Sequence, residues 1–479
     1  MKKLLAALGI LAALLVLAGL AIFVLVDVNA YKPRIESGVS DAVGMEFRSL
    51  GKARLRLFPS ASIVLSDVRL RNRGTDLATA EALRVGVKLL PLLSRQVVIT
   101  EVALEKPVIR IEKGADGKFN YETPPRPAKE AKEGEASSAP LTVPAGSVSA
   151  GRVVYVDRKT GGETSLDAID LSLRDLSIPT VPGGRLSKGI SFSGDLAAKE
   201  LKTTGFTVSD VRAKVTAGAG VYEIRPFAMK LFGGTGEGGI RVNLAGETPA
   251  MKVTYTLTKF RAEESLAGLA QEKYLSGPMT VTPDLSFRGK DASEMKRTLS
   301  GTIALRGDGL TFHGLEIDKT LSKAEDAQQL GLADVGAFVL AGPLGSAALK
   351  GYRYGDLYRA ATREGETRIT RLVSDWTVRD GMADARDVAF STGKNRIALK
   401  GKLDLVNGRF VDVTVAALDE KGCARVRQNI SGPFSAPRMD KTSFLRSFAE
   451  PVLGAFRRAG KLLGVSLCEP FYTGALQHP

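Results

Sequence analysis

The chain has 479 residues, 44% hydrophobic and 25% charged, an ordinary balance for a folded protein that excludes an intrinsically disordered chain and leaves ample material for a core. Fifty-one glycines exceed the usual share of about 7% and call for many turns. With 67 basic and 52 acidic residues the formal charge is +15, which suits nucleic acid, an anionic membrane surface or a basic envelope protein, so placement must decide.

Leu4 to Val26 is an uncharged run, about 34 Å long as a helix against a hydrocarbon core of about 30 Å. Lys2 and Lys3 precede it, so the positive-inside tendency keeps the tip cytoplasmic and sends the remainder across the membrane. A cleaved signal peptide ending at Val28-Asn29-Ala30 is the rival reading, but its apolar core would span only about 7 to 15 residues. Residues 1–30 are therefore read as cytoplasmic tip and transmembrane anchor. Ile35, Val39 and Val43 recur every four residues and predict a short helix ending near Gly44.

From there alternation with period two dominates. Leu83, Val85, Val87 and Leu89 share one parity, and Met251, Val253, Tyr255 and Leu257 alternate with Lys252, Thr254, Thr256 and Thr258, an antiparallel habit with one apolar and one wettable face. On the order of 20 such strands are predicted. Helix-period segments are few: Glu263 to Leu275, Lys319 to Leu330, and Ser443 to Leu463 with Pro451 inside it. The stretch TPPRPAKEAKEGEASS at 123–138 has no large apolar side chain and reads as a disordered linker. The predicted plan is an N-terminal β region at 31–122, a linker at 123–146, a long β region at 147–440, and a C-terminal basic amphipathic helix and tail at 441–479.

Catalytic chemistry is not legible, and no cofactor or metal ion is implied. Gly234-Thr235-Gly236-Glu237-Gly238-Gly239 satisfies the dinucleotide pattern, but the following IRVNL alternates like a strand where the pyrophosphate needs a helix N-terminus, so a hairpin turn is expected. His313 and His478 are far apart, and His313 is read as a solitary histidine belonging to neither a metal site nor a triad. Asp67, Asp157, Asp308 and Asp387 are assigned to turns or outward positions. The reading is a protein that is not an enzyme.

Cys423 and Cys468 lie on the exported side of the anchor, where an oxidising compartment permits a disulfide; two unpaired thiols is the other reading. In 441–463, Arg446, Arg457, Arg458 and Lys461 accompany Phe444, Leu445, Phe448, Leu453 and Phe456. This suits either contact with an anionic membrane surface or a helix packed across the sheet. Nucleic acid is a poor partner, because basic residues are spread over strands.

DVNAYKPRIESGVSDAVGMEF at 27–47, RLRLFPSASIVLSDVRLRN at 54–72, the segment 83–122 with its strand, proline, strand, Asp-Gly and Asn-aromatic progression, GRVVYVDRKTGGETSLDAIDLSLRDL at 151–176, and the glycine-rich stretches 229–244 and 299–317 together resemble the AsmA family of bacterial envelope proteins. The resemblance implies a mainly β fold: a long curved antiparallel sheet, trough or taco-like, with an N-terminal transmembrane helix and a few short helices. It places the bulk of the chain in the periplasm, single-pass from the bacterial inner membrane, and implies a role in outer-membrane biogenesis and phospholipid movement. On that reading Val85, Val87, Val253, Tyr255 and Leu257 line an apolar groove for phospholipid acyl chains. The alternative is an assembly factor whose sheet edges pair with strands of outer-membrane proteins or another envelope protein.

Overall fold

A computed structural model describes residues 32–57, 60–88, 91, 98–122, 141–178, 186–267, 275–314, 316–322, 365–434, 436–440, 443–444 and 468–479. The anchor and the basic segment at 445–467 lie outside the described residues, as do most of the helix-period stretches after Ala267 and Ser322. No described helix is long and apolar enough to cross a membrane. The chain divides into two compact units, 1–225 and 226–479. This boundary falls inside the region 147–440 predicted as continuous, and the linker is not the dividing point.

The first unit begins with helix α1 (Lys32–Val43), as the fourfold spacing predicts. Strands β1 (Glu46–Ser49) and β2 (Ala53–Arg56) lie end to end along one edge of β3 (Ser62–Asn72), which pairs on its other side with β4 (Thr75–Val87). Arg73 and Gly74, both at positive φ, make the β3–β4 turn, the backbone that a two-residue hairpin requires. Strands β5 (Ile99–Glu105) and β6 (Val108–Lys113) share the far edge of β4. Both then pair in parallel with β7 (Leu141–Asp157), so the sheet is not wholly antiparallel. The reason is the long connection: a parallel partner needs a crossover of a dozen or more residues, and 123–140 supplies it. Because β7 starts at Leu141, the last six residues assigned to the linker are strand. An antiparallel meander follows through β8 (Gly162–Ile178), β9 (Ser191–Lys202) and β10 (Thr207–Gly218), with a single turn of helix, α2 (Leu186–Gly189), before β9.

Strand β11 (Val221–Leu231) contains the division point. In the second unit β12 (Gly234–Asn243), β13 (Ala250–Arg261), β15 (Pro278–Arg288), β16 (Ser300–His313), β17 (Glu366–Arg379), β18 (Met382–Ser391), β19 (Arg396–Asp404), β20 (Arg409–Leu418) and β21 (Ala424–Pro433) pair successively and antiparallel. The two-residue strand β14 (Leu275–Ser276) extends the β15 side of β16, and β22 (Arg438–Met439) and β23 (Ser443–Phe444) add to β21. Helices α3 (Ala262–Ala267), α4 (Ala292–Arg297) and α5 (Ile317–Ser322) are short, and Asp291 caps α4 by accepting from the Glu294 amide.

Strict alternation breaks once or more in many strands, always by one residue. Apolar side chains fall at Ile63, Leu65, Val68 and Leu70 on β3, at Val208, Val211, Ala213 and Val215 on β10, and at Phe410, Val413 and Val415 on β20. Each step of three crosses an aspartate at positive φ: Asp67, Asp210 and Asp412. Ala168 and Asp175 on β8, Lys259 on β13 and Gly309 on β16 sit at equivalent steps. The extra residue keeps the apolar set on one face while bending the strand.

Each unit has its own core. In the first, Ile35 and Val39 of α1 pack on Phe47, Ile63, Leu65, Val68, Leu83, Val85 and Val87. In the second, one face of β16 to β21, with Tyr255, Leu257 and Phe260 of β13 and Met279 of β15, is sealed around Trp376, Phe312, Phe390, Ile369, Leu372, Ile397 and Val413. Side chains buried this completely contribute about 1.5–3 kcal/mol each.

Candidate functional site: an apolar sheet face

The residues predicted to line a groove are divided between the two compact units. Val85 and Val87 are buried in the first unit's core, whereas Tyr255 and Leu257 are buried, and Val253 is half-buried, in the second. Val85, Val87, Tyr255 and Leu257 are structural core, and Val253 packs half-buried at its margin.

Half-exposed apolar rows occur on β12, β13 and β15, through Ile240, Val253 and Leu285 and through Val242, Met251 and Phe287, and over a wider set of strands on β7 to β10. Register places four residues side by side in each of four rows: Val153, Leu166, Leu201 and Val208; Gly151, Ile169, Ala198 and Val211; Val148, Leu171, Leu196 and Ala213; Gly146, Leu173, Gly194 and Val215. Val148, Val153, Leu166, Leu171, Leu173, Leu196, Leu201 and Val215 are only half-buried, whereas Ile169, Val208 and Val211 are buried. None of these residues belongs to the core clusters that seal the other apolar ladders. Gly146 and Gly194 flank Leu173, whose side chain lies over them: a Cβ on Gly194 would stand 2.8 Å from Leu173 Cδ2. The alternate positions carry charge, paired as Arg152–Asp167 at 2.9 Å, Arg174–Asp195 at 3.1 Å and Lys202–Glu200 at 2.8 Å. Such exposed pairs add little stability; they keep that face wettable.

Gly234 to Gly239 lie within β12 and make no turn. The turn is Phe232-Gly233, one pair earlier, with both residues at positive φ. Gly236 and Gly238 are strand positions beneath the Tyr255 ring, which is stacked at a tilt on Phe227 at 5.6 Å. The Tyr255 hydroxyl is buried without a hydrogen-bond partner, and burial, aided by the Glu237 charge, pushes its pKa up to about 12.

His313 is not solitary. Its Nε2 stands 2.8 Å from Ser276 Oγ and its Nδ1 2.9 Å from Glu366 Oε1, so β14, β16 and β17 assemble a serine–histidine–glutamate array that 90 residues of sequence separation concealed. A nucleophile needs oxyanion donors beside it. The neighbouring Gly277 amide instead donates to Glu263 Oε2 at 3.0 Å, and the array stands open to solvent. It ties strand ends together. The four aspartates also have local duties: Asp157 Oδ1 accepts from the Lys159 and Thr160 amides in a turn, Asp308 pairs with Arg371, Asp67 occupies a bulge, and Asp387 accepts from Tyr472 and Ala475. Among the described residues no cluster of His, Cys, Asp or Glu could hold a metal ion.

Cys423 and Cys468 form a disulfide with Cα atoms 6.3 Å apart. It fixes the C-terminal tail, whose placement sequence patterns did not signal. Phe471, Tyr472 and Leu476 pack on Val373, Ala389, Ala398, Ala416 and Leu418, a smaller cluster separate from the main core. The proposed membrane contacts Arg446, Arg457, Arg458 and Lys461 lie outside the described residues.

These features define, among the described residues, a sheet-built protein with a half-exposed aliphatic face on β7 to β10 and apolar ladders sealed on β3–β4 and β16–β21. Residues 1–206 match the model of the AsmA family, which supports the family resemblance over that part of the chain. The match takes in the family-like segments up to residue 176 and ends at the β9–β10 turn; the glycine-rich stretches 229–244 and 299–317 lie beyond it. No curated protein and no solved structure matches the chain.

Proposed function

We propose that this is an inner-membrane-anchored envelope protein that binds phospholipid by laying acyl chains against the open aliphatic face of β7 to β10. The observation that carries the reading is the contrast between ladders: those of β3–β4 and β16–β21 are buried, while the rows through Leu171 and Leu173, inside the AsmA-matched region, remain half-exposed. Hydrocarbon needs only apolar area, about 25 cal/mol per Å² removed from water, and no polar recognition group. The AsmA match includes these strands as far as residue 206. The rival reading, strand pairing with an outer-membrane protein, has less support, because the described outer strands β1, β2, β22 and β23 are only two to four residues long, a device that blunts edges.

The test places a photo-crosslinking residue at Leu171 or Leu196 in the full chain in native membranes. Crosslinks to phospholipid are expected, and Leu171→Asp should reduce the lipid retained on purification several-fold. Lipid content unchanged by Leu171→Asp, with crosslinks only to protein, would sink the proposal and favour strand pairing.

A further inference from the structure

The back of β17 to β20 differs from the charged back of β7 to β10. Val373, Ala389, Ala398 and Ala416 are directly paired across four strands and form a row of small apolar side chains facing away from the main core. The tail covers this row. The Phe471 and Tyr472 amides both donate to Gly422 O, at 2.8 and 3.2 Å. The Ala475 amide donates to Asp387 Oδ2 at 2.9 Å, and the Leu476 amide to the Tyr472 hydroxyl at 3.1 Å. Arg396, itself buried, donates to Leu476 O at 2.8 Å and lies over the Tyr472 ring at 5.4 Å, while Lys400 lies over Phe471 at 5.2 Å. These contacts amount to a handful of hydrogen bonds and three apolar side chains on a small floor of three alanines with Val373 and Leu418. Alanine offers little area, so the hold depends on keeping the tail close.

The disulfide does that. Cys423 is buried beside Gly422, but Cys468, at the tail's root, is exposed. We propose that the Cys423–Cys468 bond is a redox-sensitive latch that holds residues 468–479 over an apolar sheet face, and that reduction by a dithiol releases the tail and uncovers that face. One thiolate of the dithiol attacks Cys468 Sγ to give a mixed disulfide, and Cys423 leaves as a thiolate and takes up a proton. The second thiol of the dithiol then displaces Cys468, which is protonated in turn. The protein gains two electrons and two protons, and the dithiol is oxidised to its own disulfide. The inference stands apart from any lipid cargo.

The experiment is amide hydrogen exchange on the full-length protein in detergent, oxidised and after dithiothreitol, with reduction verified by mass. Docked, the amides of Phe471, Tyr472, Ala475 and Leu476 are hydrogen-bonded. On reduction their exchange should accelerate by roughly tenfold or more while β16 and β17 peptides stay protected, and an apolar dye should gain fluorescence. Cys468→Ser should reproduce the released state without reductant. Tail protection that survives reduction would overturn the latch, as would loss of protection in β16 and β17 together with the tail, which would make the bond a core staple.

Discussion

Gly236 and Gly238 lie under one aromatic ring, yet their substitution should not cost the same. The three atoms nearest a Cβ on Gly236 would all belong to the Tyr255 side chain, whereas a Cβ on Gly238 would press on the Thr254 carbonyl oxygen and the Tyr255 Cα, which belong to the backbone. Overpacking of this kind costs about 1–3 kcal/mol. Gly236→Ala should therefore destabilise by that amount and be rescued by Tyr255→Leu, while Gly238→Ala should not be rescued. Thermal unfolding of the two double variants decides this, and equal rescue would refute it. The glycine spacing was visible in the sequence. Its cause was not, because Tyr255 is brought opposite Gly238 only by the β12–β13 register.

At the scale of elements, the strands themselves were largely legible and the slips within them were not. Aspartate is an outward residue at alternate positions and also tolerates a left-handed backbone, so Asp67, Asp210 and Asp412 read as ordinary wettable positions. The connection between β6 and β7 carries a stricter demand. Glu122 is held near Asn72 by the latter's side chain, and parallel pairing with β6 returns β7 to that level only about 14 residues after Leu141. At about 3.3 Å per residue, the ends to be joined stand about 46 Å apart, against about 65 Å of available chain. Removing two or three residues from 124–139 should be tolerated, and removing seven or more should break the β6–β7 pairing. Hydrogen exchange of the Val108–Lys113 amides would show it; unchanged protection after the larger deletion would contradict the estimate.

For the whole molecule, the sequence conveyed a mainly β chain with sparse helical cover, but the parallel step, the division near residue 225 and the sealed cores come from long-range pairing that local patterns do not encode. The charged groups set the pH range over which the fold persists. In the first unit, hydrogen bonds from Arg110 and Arg158 hold the Glu112 carboxyl below its usual value. In the second, burial pushes Asp404 up, but bonds from the Asn407 side chain and the Asn407 and Val406 amides outweigh it and leave that carboxyl low. Both contributions are complete above the ordinary carboxylate values of 4.5 and 3.8 and are lost as pH falls through the depressed ones. Tyr255 acts at the other end: the unfolded phenol ionises near 10 and the buried one near 12, so stability falls as pH rises between them. Unfolding temperature should plateau between these limits, and Tyr255→Phe should lessen the alkaline decline. An identical decline in that variant would remove Tyr255 as its cause.

The parallel step also orders events during synthesis. A ribosome delivers the N-terminus first, so β1 to β6 can find their antiparallel partners before Leu141 exists, leaving the outer side of β5–β6 waiting through the whole proline-rich connection. An unmet edge of that kind invites capture by a neighbouring nascent chain. Lys106 at positive φ and Pro107, with no amide to offer, interrupt that rim at its middle; Lys106 N and Pro107 O find Ser149 and Arg152 only when β7 arrives. The same kink that divides β5 from β6 thus guards the half-made sheet until its own next strand takes the place.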